Sequence, residues 1–199
     1  MFPRLDDGMS ATTRGWDRVW TAEEFLATDQ HDFGDAWRYE LVDGAIVAHA
    51  APSPDHGAII AALTTAIDKR LEARPGSFCR TESGSGAAPR SQQRPTARIP
   101  DAIIRCGEHP RVTFDVVSPS ELRAWRARDR RCQHLQDIEG VHEIVEIYQA
   151  EAAVHVYRRN AAGEWPFSPV SGLDAVLTLE SLDLQIPLAE IYRTVSVAE

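Results

Sequence analysis

Two hydrophobic periods alternate along this chain, and that alternation limits its folds more than any other feature. Between residues 56 and 73, Ile60, Leu63, Ile67 and Leu71 recur at helical spacing, with His56 at the N-terminal end of the same stripe. Just before lies Tyr39-Glu40-Leu41-Val42-Asp43-Gly44-Ala45-Ile46-Val47, two apolar runs around Asp-Gly, which reads as a hairpin. Short strands are expected at 98–104, 111–117, 143–149 and 153–159, with a turn from Asn160 to Gly163. Ser118 or Ser120 caps a second helix running to about Ile138, with Pro119 tolerated at its start. Thr21 and Glu24 form a capping box for a short first helix, and Leu188 to Val195 reads as a terminal one. The order predicts a mixed α/β fold, with one central sheet across 37–159 and helices on its faces.

Residues 1–19 lack any period and read as a flexible N-terminal arm, leaving 20–199 as a single domain. Residues 83–95, rich in Gly, Ser and Arg, read as a mobile loop suited to binding. No apolar run approaches the ~18 residues of a membrane-spanning helix, and the start of the chain has no secretory-signal pattern, so no membrane partner is expected. Three cysteines, Cys79, Cys106 and Cys132, are an odd set without a Cys-x-x-Cys motif. That argues against a disulfide scaffold or a zinc knuckle and for a reducing cytoplasm.

The net charge of −9 conceals an uneven distribution. Residues 80–131 carry 11 basic and 6 acidic side chains, whereas both flanks are acidic. A basic middle segment is what a nucleic-acid contact needs, although an arginine-rich genome gives the same counts: 20 of the 21 basic residues are Arg. In the run Arg123, Arg126, Arg128, Arg130 and Arg131, consecutive spacing prevents all from facing one partner. Leu122 and Trp125 on the same helix are expected in the core, and Trp20, Trp37 and Trp165 are expected to pack rather than stack on bases.

Two acids stand against apolar strands. Asp101 follows Pro100 at the head of one, and Asp115 lies inside Val112-Thr113-Phe114-Asp115-Val116-Val117. A carboxylate so placed is costly unless paired or bound to a metal. Two of them on neighbouring strands suit a hard divalent cation able to polarise a phosphodiester and activate water. Strand-end acids open to water satisfy the same spacing.

These segments fall in an order that resembles the Uma-type restriction-endonuclease family, within the PD-(D/E)XK nuclease superfamily. The resemblance runs from Trp20-Thr21-Ala22-Glu23-Glu24 through Tyr39-Glu40-Leu41-Val42-Asp43-Gly44, Pro100-Asp101 and Asp115-Val116-Val117-Ser118-Pro119-Ser120. It continues through Gly140-Val141-His142-Glu143 to Ile186-Pro187-Leu188-Ala189-Glu190. It implies a restriction-endonuclease-like fold and a DNA endonuclease that uses Mg²⁺ or Mn²⁺ and works as a homodimer. The metal ligands it implies are Asp101, Asp115, the Val116 carbonyl and Glu40. His56, Arg98 and Arg130 are implied to contact substrate. Counting back from Gly140-Val141-His142-Glu143, the family's lysine maps to Arg131, with Arg130 or Cys132 the positions a one-residue shift would give. Asp115 stands where the family usually has Glu, and the only lysine, Lys69, lies far along the first long helix. Arginine keeps its charge and cannot serve as a base, but it clamps phosphate well. The resemblance therefore also allows a catalytically inactive relative that binds nucleic acid or regulates.

Overall fold

The computed structural model describes residues 18–33, 37–74, 78–89 and 94–197. The expected arm therefore lies almost wholly outside the described residues, as does 90–93 of the expected loop. Helix α1 (Ala22–Ala27) starts at the Thr21 capping box: the Thr21 hydroxyl accepts from the Glu24 amide, and the Glu24 carboxylate accepts from the Thr21 amide. Strands β1 (Trp37–Val42) and β2 (Ala45–Ala50) form the Asp-Gly hairpin. Asp43 and Gly44 have φ of 51° and 82°, the left-handed pair that a two-residue turn requires.

Helix α2 (Pro54–Glu72) is capped by Ser53, whose hydroxyl accepts from the His56 amide at 3.2 Å. It buries Ile59, Ala62, Leu63, Ala66, Ile67 and Leu71, while Ile60, expected in the stripe, is only half-buried. Alanines at 62 and 66 widen the face that meets the sheet and rotate it away from Ile60.

Six strands make the main sheet, in the order β3 (Cys79–Ser83), β4 (Ala102–Cys106), β5 (His109–Val117), β6 (Glu143–Tyr148), β7 (Ala153–Arg158) and β8 (Phe167–Ser171). Neighbours are antiparallel except β5 and β6, which run parallel and are joined through helix α3 (Trp125–Gln136). One face carries Phe114, Val116, Val145, Ile147, Val154 and Val156 onto α2. A two-stranded ribbon, β9 (Val176–Leu179) with β10 (Leu184–Pro187), and the short α4 (Leu188–Ile191) complete that core. The other face packs Ile103 and Ile144 against Cys132, Leu135 and Ile138 of α3 and its C-terminal turn.

The mixed α/β architecture is as expected, with several corrections of detail. The hairpin is a sheet of its own, tied to the body by the Leu41–Ala97 bridge. Residues 97–100 are therefore an irregular crossing, and the expected strand at 98–104 begins only at Ala102. The 83–95 segment is not wholly loose: Ala87 is buried and bridges Arg98, and Gly86 packs so closely on Leu26 that a Cβ would lie 2.1 Å from its Cδ2. Leu122 is exposed rather than core, because a 3₁₀ turn at Glu121–Ala124 precedes the helix proper. The terminal helix is one turn long. Cys79 and Cys106 stand directly opposite each other across β3 and β4 and form a disulfide, contrary to the reading of the cysteines as unpaired. Strand pairing, invisible in the spacing of 27 residues, brings them together. Among the described residues no helix is long and apolar enough to cross a membrane.

Gly140 sets where β6 begins. Its φ is +88°, and a Cβ there would lie 3.0 Å from the Pro110 carbonyl oxygen and 2.7 Å from the His109 Cβ. Gly140→Ala should cost about 2 kcal/mol or more, since both backbone strain and a backbone clash oppose it. Urea denaturation measures that loss, and Gly57→Ala, in open space on α2, should show none of it.

Candidate active site

Strand pairing aligns the ionisable groups. Asp115 is the register partner of Glu146, and Glu146 is the partner of His155. Ala102 pairs with Phe114, so Asp101 stands level with Asp115 one step beyond the end of β4. Directly opposed residues share a face. The row Asp101, Asp115, Glu146 and His155 thus crosses the sheet on the α3 side. The β1–β2 hairpin closes over it and brings Glu40, which is 0 % exposed.

A cavity of about 340 Å³ lies between hairpin, sheet and α3. Glu40, Arg98, Asp101, Asp115, Val116, Arg130 and Arg131 all line it. His56, the remaining residue singled out from sequence, lines a neighbouring cavity that shares Arg38, His49, Asp101 and Glu121 with the first. The residues expected to act together are therefore brought together. Lys69 is not among them; its charge is felt by Glu190 near the C-terminus.

Each carboxylate is held by cations. Arg131 grips Asp115 with two parallel hydrogen bonds, Nε to Oδ2 at 2.9 Å and Nη2 to Oδ1 at 2.6 Å. Its Nη1 donates to Glu40 Oε1, and its Nη2 also reaches the Ile99 carbonyl at 3.1 Å. Glu40 further accepts from the Ile99 amide at 3.0 Å and from Arg98 Nη1 at 2.8 Å, and His49 Nε2 lies 3.2 Å away. Burial raises the Glu40 pKa, but Arg131, His49 and Arg98 outweigh it and hold the carboxyl well below the ordinary range. Asp101 accepts from the Val116 amide at 2.7 Å and from Arg38, and His56 Nε2 lies 3.1 Å away. Against the desolvation of that carboxyl, His56, Arg38 and Val116 again prevail, and its pKa is lowered. The same balance raises Arg131: burial opposes its charge, and Asp115 and Glu40 more than compensate. Arg130 is exposed at the cavity rim.

The donors are hard oxygens, the chemistry Mg²⁺ or Mn²⁺ requires. Their arrangement does not fit such an ion. Both Asp115 oxygens are engaged by one guanidinium, and the charges of Glu40, Asp101 and Asp115 are matched by Arg38, Arg98 and Arg131. Among the described residues no three His, Cys, Asp or Glu side chains are grouped as ligands of a metal ion.

A model of the family described as "Uma2: Putative restriction endonuclease" matches residues 22–189. The chain belongs to the Uma2 family. Its fold is similar to that of a solved structure from Anabaena variabilis ATCC 29413, titled "a putative nuclease belonging to DUF820". The TM-score is 0.63 at 16% identity, over 87% of this chain and 98% of that one. A search of the curated proteins finds no match. The fold is thus the nuclease-like one that the resemblance implied, and the Uma2 match carries the class: a restriction-endonuclease family.

Sequence reasoning missed Glu146, His49 and His155 and the parts played by Arg38 and Arg128. Glu146 was open to the argument used for Asp115, because it too interrupts an apolar run, Ile144-Val145-Glu146-Ile147. The histidines were missed although both contacts are made within hairpins: His49 pairs with Arg38 and lies diagonal to Glu40, and His155 pairs with Glu146 and lies diagonal to Tyr148. Burial outweighs the Arg128 charge 3.3 Å away and pushes the Glu146 carboxyl up to about 7.

That shift makes stability depend on pH. Between about pH 4.5 and 7 the folded chain binds more protons at Glu146 than the unfolded chain does, so stability falls as pH rises, and the loss is complete above 7. Glu146→Gln removes this cost. It should raise stability by about 1–3 kcal/mol at pH 8 and give no gain at pH 4.5, as measured by urea denaturation at the two pH values.

Proposed function

We propose that the chain is a DNA endonuclease of the restriction type, acting on phosphodiester bonds at the Glu40–Asp101–Asp115 pocket and slowed by Arg131 in the lysine position. The observation that carries this reading is the convergence of three carboxylates, from separate segments of a Uma2-family chain, beneath an exposed arginine at the cavity rim. Arg130 receives a backbone phosphate there. Arg131 offers its guanidinium to the negative charge that develops on the phosphoryl oxygens. Asp101, fixed by the Val116 amide, Arg38 and His56, holds the attacking water by hydrogen bonds. His56 and Arg98 serve the substrate through the carboxylates they orient. Cleavage of both strands calls for two pockets, which a homodimer supplies.

In a site of this class, Asp101, Asp115, Glu40 and the Val116 carbonyl would be the donors to Mg²⁺ or Mn²⁺, which polarises the phosphodiester and lowers the pKa of water. With Arg131 seated on Asp115 the set is closed to that ion. The same contact favours a second reading, a relative that binds DNA without cutting it.

Nicking of supercoiled plasmid with Mg²⁺ or Mn²⁺ separates the two. The endonuclease reading expects slow nicking that Asp101→Ala abolishes and Arg131→Lys accelerates, since general acid–base assistance is typically worth about 10²–10⁴-fold. DNA binding that falls steeply with salt, without nicking by either protein, selects the second reading. Absence of both binding and nicking rejects the two together.

A further inference from the structure

We infer that the Arg131 guanidinium is a tethered replacement for the divalent cation, so that this chain excludes the metal from Asp115 for as long as Arg131 is present. The inference rests on the nuclease reading only in naming the place where a cation belongs. Four contacts support it. Arg131 reaches both oxygens of Asp115, one oxygen of Glu40 and the Ile99 carbonyl, so one planar cation spans three oxygen-bearing groups. These are the hard donors a small divalent ion would draw together. The guanidinium is well sheltered, its side chain 13 % exposed, and it cannot lose its proton to vacate the charge.

Electrostatics points the same way. A divalent ion binds where carboxylates outnumber fixed cations, and here Glu40, Asp101 and Asp115 meet Arg38, Arg98 and Arg131 one for one. Lysine at position 131 would carry the same charge but only a single ammonium centre. It cannot bracket both Asp115 oxygens in the plane of the carboxylate as the fork does. The geometry, more than the charge, is thus what closes the site, and a lysine would reopen part of it.

The test is Mn²⁺ binding, followed by the electron paramagnetic resonance signal of the free ion and by calorimetry, without DNA and without any measurement of cleavage. Wild type should show no Mn²⁺ binding beyond that of Asp115→Asn. Arg131→Lys, which keeps the charge and the fold, should bind Mn²⁺ at least about tenfold more tightly than wild type, because the nearby cation no longer covers both oxygens. Arg131→Met, which removes the charge at similar length, should bind more tightly still, and Mn²⁺ should raise its melting temperature. Wild-type Mn²⁺ binding that Asp115→Asn removes would overturn the inference. So would a folded Arg131→Lys and a folded Arg131→Met that both fail to gain the ion. A protein that binds Mn²⁺ through Asp115 yet never nicks DNA would sink this inference and the nuclease reading separately, on different readouts.

Discussion

The Arg131 fork is the contact on which the rest of the site depends. It joins three elements that are remote in sequence: α3, which carries it, β5 through Asp115, and the hairpin through Glu40. Glu40 is wholly buried, and Asp115 nearly so. Removing one member of a buried ionic cluster typically costs about 3–5 kcal/mol, because the partners are left charged and unsatisfied. The hairpin forms a sheet of its own, tied to the 95–99 crossing by the Leu41–Ala97 bridge and by bonds from the Gly44 and Asp43 amides, and this cluster and the Phe25–Tyr39–Leu41–Ile99 packing help to hold it over the cavity. The polar cluster thus does structural work at the place where chemistry would occur.

The main lines of the fold were legible because they rest on local signals. Asp43-Gly44 fixes a turn through left-handed backbone angles, Ser53 and Thr21 start helices through side-chain caps, and the apolar period of α2 finds a core. The elements missed are those without such signals. Strands β3 and β8 are short and largely exposed and exist because β4 and β7 offer them edges, while β9 and β10 are only four residues each and pair with one another. The disulfide follows from one of those missed pairings. At the site, Asp101 and Asp115 could be read because a carboxylate in an apolar run is conspicuous. Arg131 could be placed only through resemblance, since five arginines within nine residues of α3 and its approach differ in role solely by the face they turn inward.

Placing the acids in one transverse row has its own physical cost. Desolvation raises the Glu146 carboxyl, and the like charge of Asp115 beside it adds to the rise. The chain answers differently at each step along the row. Asp115 is bracketed by the Arg131 fork, and Asp101, whose carboxyl is held below its ordinary range, meets Arg38 and His56. Glu146 has Arg128 at a longer distance and holds its proton close to neutrality, which keeps acid–base capacity within the cavity although Arg131 itself has none.

The Cys79–Cys106 bond lies at the opposite end of β4 from Asp101. A covalent rung between directly opposed residues admits a single alignment of the two strands. Strand β3 is the outermost of the sheet, and outer strands are where slippage and stray pairing begin. Pinned at Cys79, β3 cannot slide along β4, so the register of all five pairs is fixed from that end. The edge of β4 next to the candidate site is therefore covered by a strand whose alignment is set by chemistry rather than by packing alone, and reduction of that one bond would hand the task back to the ordinary ladder.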